Sequence, residues 1–257
     1  MLRTAAALLL AACCSLAFAQ AQPADSAYQP QVGQEGKDVV WVPTPQAVVD
    51  KMLEMAKVTS KDVVIDLGSG DGRTVITAAK RGAHATGIEY NPDMVELSRR
   101  NARTERVTNL ATFTQADLFA TDLSKATVIT MFLLPDINLK LRPKILHLKP
   151  GTRIDSNTFT MGDWQPDQTE TVSAEAGCNT SWCTALLWIV PAQVAGRYQI
   201  AQGDLNLKQD FQMLSGTLSG EGRTVPVEGK VLGDDISFTA GGREYHGRLR
   251  GRKLELK

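Results

Sequence analysis

Net charge is what this chain most plainly lacks: 28 lysines and arginines stand against 28 aspartates and glutamates among 257 residues. That balance argues against a nucleic-acid binder working by bulk electrostatics, though it leaves room for a local basic patch. Aromatic residues are few, at 6%, and histidine occurs three times, as His84, His147 and His246, too scattered to share a zinc ion. No Ser-His-Asp triad, metal motif or paired-carboxylate arrangement stands out. Long apolar runs are missing too; only the extreme N-terminus approaches the ~20 residues of a membrane-spanning helix. What is present is a hydrophobic fraction of 43%. That excludes wholesale disorder and fits one large α/β domain, or a smaller one with an appendage.

The N-terminus has the three parts of an export signal. Met1-Leu2-Arg3 carries one positive charge, Ala5 to Ala12 is apolar, and Ala17-Phe18-Ala19 places small residues before Gln20. Residues 1–19 are therefore expected to be a signal peptide and the mature protein to be exported, into a bacterial periplasm. Leu10-Ala11-Ala12-Cys13 offers an alternative, a lipobox that would make Cys13 a lipid anchor; the apolar stretch from Ser15 to Ala19 favours cleavage after Ala19. Cleavage leaves 27 basic and 28 acidic residues, and two of the four cysteines, Cys178 and Cys183. Five positions apart in an oxidising compartment, these could close a hairpin loop as a disulfide; two free thiols are the alternative.

Residues 20–40, rich in Gln, Ala, Pro, Gly and Asp without periodicity, read as a disordered leader. After Pro43-Thr44-Pro45, the spacing of Val48, Met52, Leu53 and Met55 predicts a helix opened by proline. Short apolar runs then alternate with helical stretches. Strands are expected at Val63–Ile65, Ala85–Ile88, Leu110–Thr114, Ala126–Phe132 and Thr152–Phe159, and helices at Thr74–Arg81, Pro92–Arg103 and Ile137–Leu148. That alternation predicts a parallel sheet with helices on both faces, closed by an antiparallel hairpin of Thr171–Glu175 and Cys183–Val190. Residues 196–257 hold 11 of the 21 glycines and lack a helical period. Gly229 to Phe238 and Gly247 to Leu256 share one glycine-punctuated alternating pattern, which predicts a small all-β domain. Its excess charge sits at Arg248, Arg250, Arg252 and Lys253, either a charged strand edge or a site for an anionic partner.

The most informative stretch is Val63-Val64-Ile65-Asp66-Leu67-Gly68-Ser69-Gly70-Asp71-Gly72-Arg73. A strand runs into G-x-G-x-G and then a helix, so backbone can approach a ligand closely and free N–H groups face it. Glu89 lies 19 residues beyond Gly70, at the end of the second strand, where a carboxylate can accept both hydroxyls of a ribose. A dinucleotide fingerprint would have glycine where Arg73 stands. Asp66 would repel a pyrophosphate but could hold an amino-acid ammonium, so an adenosyl ligand suits the loop better than NAD.

This segment resembles motif I of the class I S-adenosylmethionine-dependent methyltransferases, over roughly residues 41–192. The resemblance implies a Rossmann-like α/β sheet spanning a methyltransferase domain at 41–195, followed by the C-terminal antiparallel β module. It also implies that Asp66, Gly68, Gly70 and Gly72 surround the methionine part of S-adenosyl-L-methionine, that Glu89 holds the ribose, and that Asp117 and Leu118 of Asp117-Leu118-Phe119 hold the adenine. More narrowly, the motif, Asp117-Leu118-Phe119 and Val42-Pro43-Thr44-Pro45 are similar to the methyltransferases that modify a lysine of the ATP synthase c-subunit, with Thr44 closing over the cofactor. Phe132-Leu133-Leu134-Pro135-Asp136 departs from the N-P-P-Y type of amino-methylating enzymes. The expected activity is methyl transfer to an acceptor, a protein lysine first, without nucleic acid as partner. Asp136 is the candidate general base, or alternatively a helix N-cap, and Trp164 a candidate acceptor-pocket residue or simple packing. Because S-adenosylmethionine is made in the cytoplasm, an exported, non-catalytic binding protein on the same scaffold is the competing expectation.

Overall fold

The computed structural model describes residues 28–251 and 253–256. The expected signal peptide, the lipobox cysteine, residues 20–27 of the leader and Arg252 lie outside the described residues.

The first layered unit is a seven-stranded sheet in the order β3-β2-β1-β4-β5-β7-β6. Its strands are β1 (Val63–Leu67), β2 (His84–Glu89), β3 (Ala111–Gln115), β4 (Val128–Met131), β5 (Arg153–Asn157), β6 (Gln168–Thr171) and β7 (Thr184–Ile189). β1 to β5 are mutually parallel, while β7 runs antiparallel to β5 and β6 antiparallel to β7. The chain order reverses at β1, between β2 and β4, and in such sheets a crevice opens beyond the carboxyl ends of the strands at that point.

Among the described residues four helices cover the sheet: α1 (Gln46–Met55), α2 (Arg73–Lys80), α3 (Pro92–Thr104) and α4 (Pro135–Leu146). Strand alternation divides the core. Val64 and Val128 pack with Val48, Leu53, Val75 and Ala78 of α1 and α2. Ile65, Ile129 and Met131 pack with Ile137, Leu141 and Ile145 of α4. Helix α3 starts cleanly because Asn91 accepts from Asp93 N at 2.9 Å and Pro92 occupies a position whose N–H has no helical partner.

A second, antiparallel sheet follows in simple sequence order, β14-β13-β12-β11-β10-β9-β8. It comprises β8 (Gly196–Ile200), β9 (Gly203–Asp210), β10 (Met213–Gly220), β11 (Arg223–Leu232), β12 (Asp235–Ala240), β13 (Arg243–Arg250) and β14 (Lys253–Leu256). The hairpin β10–β11 closes through Glu221 and Gly222, both at positive φ, the two-residue turn whose twist matches the strands. The repeated glycine pattern has a packing cause. Gly229 stands opposite Phe238 and Gly247 opposite Leu256, so each repeat sets a missing side chain against a bulky one. Of the basic residues, Arg248 pairs with Asp235 and Arg250 with Glu255.

The two sheets meet through aromatic packing. Trp164 is fully buried, stacks on Phe211 at 5.9 Å and tilts against Trp188 at 6.2 Å. Gln212 donates to the Gln165 carbonyl at 2.7 Å, and Lys230 pairs with Asp167 at 2.7 Å. Of the two expectations for Trp164, simple packing is the one met: the ring is a joint between the sheets and does not line the pocket.

Three further departures from the sequence reading matter for the site. Residues 28–40, expected as disordered leader, form a strap: Gly33 N donates to the Trp41 carbonyl at 2.8 Å, Trp41 N to the Gln34 carbonyl at 2.9 Å, and Arg100 to the Tyr28 carbonyl at 3.2 Å. The first two bonds fold the segment on itself, while the Arg100 bond and the Lys37–Asp117 pair tie it to partners far along the chain, which local composition does not encode. The hairpin arm β6 lies earlier than Thr171–Glu175, because the residues after Thr171 turn into a loop closed by the Cys178–Cys183 disulfide. Helix α4 begins at Pro135, with Leu134 as N-cap, so Asp136 is an exposed first-turn residue and not the cap.

Candidate cofactor site at the carboxyl edge of the sheet

The crevice beyond β1, β2 and β4 holds a pocket of about 1080 Å³ measured out to its open mouth. Its floor is the loop after β1. Gly70, at φ +53°, lies so close to the strap that a Cβ there would stand 2.6 Å from Trp41 Nε1. Two side chains of α3 hold this loop by its carbonyls: Ser98 Oγ donates to Gly70 O at 2.7 Å and Asn101 Nδ2 to Asp71 O at 2.9 Å. Arg73, which breaks the dinucleotide fingerprint, grips Asp71 through both carboxylate oxygens and donates to the Thr44 carbonyl at 2.9 Å. The loop before α1 is thereby tied to the glycine loop.

The expected residues fall into three groups. Thr44, Asp66, Gly68, Gly70, Glu89, Asp117 and Leu118 all line the pocket. Gly72 does not; at φ +83° it caps α2 and lets the helix seat on Phe113, whose ring would lie 2.8 Å from a Cβ at that position. Asp136 also lies off the pocket wall, although its neighbour Ile137 is part of it.

Three carboxylates set the electrostatics. Glu89 accepts from Gly70 N at 3.0 Å through one oxygen and from Asn91 N at 2.9 Å through the other. Each oxygen keeps further lone-pair capacity, so the group is aimed but not exhausted. Asp66 is buried and accepts from Thr130 Oγ1 at 2.6 Å. Burial pushes its carboxyl up to about 7; the Thr130 bond works against that, while Asp71 and Glu89 add to it. A buried carboxyl raised this far, on the wall of a pocket, suits a ligand bearing positive charge. Asp117 accepts from Lys37 Nζ at 2.7 Å, which holds it below the usual carboxylate range, and also from Phe119 N at 2.8 Å. Lys37 in turn lies 4.6 Å over the Tyr90 ring.

Sequence reasoning missed Lys37, Trp41 and Tyr90, all of which line the pocket. The lone tryptophan between a Gly-rich stretch and a proline-opened helix was the one available signal. Among the described residues, no group of His, Cys, Asp and Glu is arranged to hold a metal ion.

A parallel sheet reversed at β1, an antiparallel seventh strand inserted beside β5, and an acidic residue ending β2 above a glycine loop define a class I S-adenosylmethionine-dependent methyltransferase. A family model described as the ANTKMT methyltransferase domain matches residues 66–168. A protein-lysine N-methyltransferase of Saccharolobus islandicus (strain REY15A) is 44% identical over 142 residues, covering 54% of this chain and 87% of that protein. The human lysine N-methyltransferase of the ATP synthase c-subunit is 34% identical over 143 residues, 55% of this chain but only 59% of its own length. The crystal structure of an RNA methyltransferase from Salinibacter ruber in complex with S-adenosyl-L-homocysteine matches at 46% identity with a TM-score of 0.54, over 60% of this chain and 96% of that one. The chain belongs to this methyltransferase family, and its cofactor is S-adenosylmethionine.

Proposed function

We propose that this protein is an exported protein-lysine N-methyltransferase. The observation behind the acceptor is the 44% identity with the Saccharolobus enzyme, which spans most of that protein's length. The observation behind export is the pairing of the N-terminal signal pattern with a disulfide between Cys178 and Cys183, a bond that persists in oxidising compartments.

When bound, S-adenosylmethionine supplies an electrophilic methyl group on a sulfonium. In this reading Glu89 takes the ribose hydroxyls, Asp66 the amino group of the methionine part, and Asp117 and Leu118 the adenine. Gly68 and Gly70 allow backbone approach, and Thr44 closes the near side. Asp117 has lone pairs enough to accept from the adenine amine while it still holds Lys37, so the strap and the cofactor share one anchor. The acceptor amine would have to arrive without its proton, lost to solvent or to a nearby carboxylate, with its lone pair free to take the methyl group and the residues above fixing its line of approach. Displacement of this kind needs alignment and exclusion of water more than covalent help, and the pocket walls supply both. Asp136, exposed in the first turn of α4 and next in sequence to the pocket residue Ile137, is kept as a candidate proton acceptor.

Incubation of the purified mature chain with tritiated S-adenosylmethionine and poly-L-lysine tests the acceptor. Lysine-borne label is the expected result; its absence refutes the reading, and label on an RNA oligonucleotide would then identify the other acceptor class. Glu89→Ala is expected to weaken cofactor binding at least tenfold by calorimetry; because it also leaves Gly70 N and Asn91 N without their acceptor, the melting temperature should fall by a few degrees with the fold retained. N-terminal sequencing of the protein expressed in a bacterium should begin at Gln20; an unprocessed or cytoplasmic chain would refute export.

A further inference from the structure

Three aromatic side chains from three separate segments converge beside the cofactor pocket. Phe132 follows β4 and forms part of the pocket wall. Phe159 follows β5, and Trp182 sits inside the loop closed by Cys178–Cys183. Their ring centroids are 5.8 Å apart for Phe132–Phe159, 5.4 Å for Phe159–Trp182 and 5.9 Å for Phe132–Trp182. All three are half-buried, so each keeps one face or edge toward solvent.

The backbone is forced to make this arrangement. Thr158 adopts φ +61°, a left-handed conformation that a β-branched residue avoids, and so turns Phe159 out of the strand. The strained residue is held by Thr158 N donating to Thr184 O at 2.7 Å, and the Phe159 carbonyl accepts from Ser156 Oγ at 2.7 Å and from the buried Asn138 at 3.3 Å. Trp182 is held by Thr180 Oγ1, which accepts its backbone N–H at 3.1 Å, and by the disulfide that spans both residues. Packing alone does not need a strained turn and a cross-linked loop to bring partly exposed rings together.

We infer that Phe132, Phe159 and Trp182 form the wall along which the acceptor lysine side chain lies, directing its amine to the cofactor pocket at Phe132. The inference rests on the lysine reading above and deepens it. The rings are too close together to enclose a ligand, so they act as a continuous surface: the four methylenes pack on it and the cationic end is attracted to the ring faces it passes. The surroundings favour a basic segment. Residues 168–183 include Glu170 and Glu175 and no lysine or arginine; Lys51 of α1 faces Glu170, which leaves Glu175 and the exposed Asp136 beyond Phe132 as the unopposed charges named here. A nucleic-acid strand could stack on the same rings but would meet carboxylates where its phosphates need cations.

The test uses the full mature chain with poly-L-lysine as acceptor, measuring methyl transfer together with S-adenosyl-L-homocysteine affinity. Trp182→Ala and Phe159→Leu are each expected to raise the KM for poly-L-lysine about tenfold, with S-adenosyl-L-homocysteine affinity within about twofold of wild type. Trp182→Phe should restore most of the loss. The double substitution Cys178→Ala, Cys183→Ala, which frees the loop without touching a ring, should raise KM in the same direction. Wild-type transfer to poly-L-lysine with KM unmoved in Trp182→Ala and Phe159→Leu overturns the wall and leaves the lysine reading standing. No wild-type transfer to poly-L-lysine overturns the lysine reading, and the wall with it. Should Trp182→Ala lower the melting temperature by more than a few degrees, the Phe159→Leu and cysteine variants decide.

Discussion

Asp66 carries a proton in the folded protein that it would not carry unfolded. Its carboxyl titrates near 7, chiefly because burial disfavours the charged form, against ~3.9 for an unfolded aspartate. Between those values the folded state binds the extra proton, so stability falls as pH rises through the window. Asp155, fully buried with neither carboxylate oxygen hydrogen-bonded, is raised for the same reason and contributes in the same direction. Asp66→Asn should therefore flatten part of the decline in melting temperature between about pH 4 and 7. Cofactor binding should show the opposite trend: a cationic ligand group prefers the ionised carboxylate, so affinity drops toward tenfold per unit as pH falls below about 7, with proton release detectable by calorimetry in buffers of different ionisation enthalpy. The glycines separate by role as well. Gly72→Ala would drive a methyl into the Phe113 ring and is expected to destabilise by about 1–3 kcal/mol in chemical denaturation. Gly70→Ala would push on Trp41 and should weaken cofactor binding more than it lowers stability. Asp66, Gly70 and Glu89 were legible in the sequence because strand, turn and helix fix their spacing locally. The packing role of Gly72 was not, since Phe113 is a contact from a different strand.

The elements that sequence patterns describe best are those with internal hydrogen bonding. The parallel strands and α1 to α3 follow their apolar periods within a few residues. The strap from Tyr28 to Trp41 follows none, because its order comes from partners far along the chain, such as the Lys37–Asp117 pair across 80 positions. Its effect on cofactor exchange can be measured. Lys37→Ala removes the ammonium from both Asp117 and the Tyr90 face, so the strap should open and S-adenosyl-L-homocysteine should dissociate several-fold faster in stopped-flow fluorescence. An unchanged off-rate would mean that the strap closes through Trp41 alone. Helix α4 illustrates a smaller error of the same kind: proline at its first position allows the helix to begin one residue before Asp136, and the apolar pattern alone placed the start later.

At the scale of the whole molecule, two sheets of different construction share one joint. Trp164 and Phe211 stack across it, and Arg142 lies 5.2 Å over the Phe211 ring. Removing residues 196–257 should expose the Trp164 face and lower the melting temperature and solubility, while the cofactor pocket, built wholly from residues before 138, keeps its affinity. In the first sheet β1 must find β4, pairing Val64 with Val128 after two intervening helices and strands. In the second, every strand pairs only with its neighbours in sequence, through tight turns. Its mean sequence separation between contacts is therefore short, and low contact order speeds folding. Of the two sheets, the one made second on the ribosome is the one equipped to form first. Pulsed hydrogen exchange should accordingly find the amides of β9 to β13 protected before those of β1 and β4, with the docking of Phe211 onto Trp164 following as the late event that unites the chain.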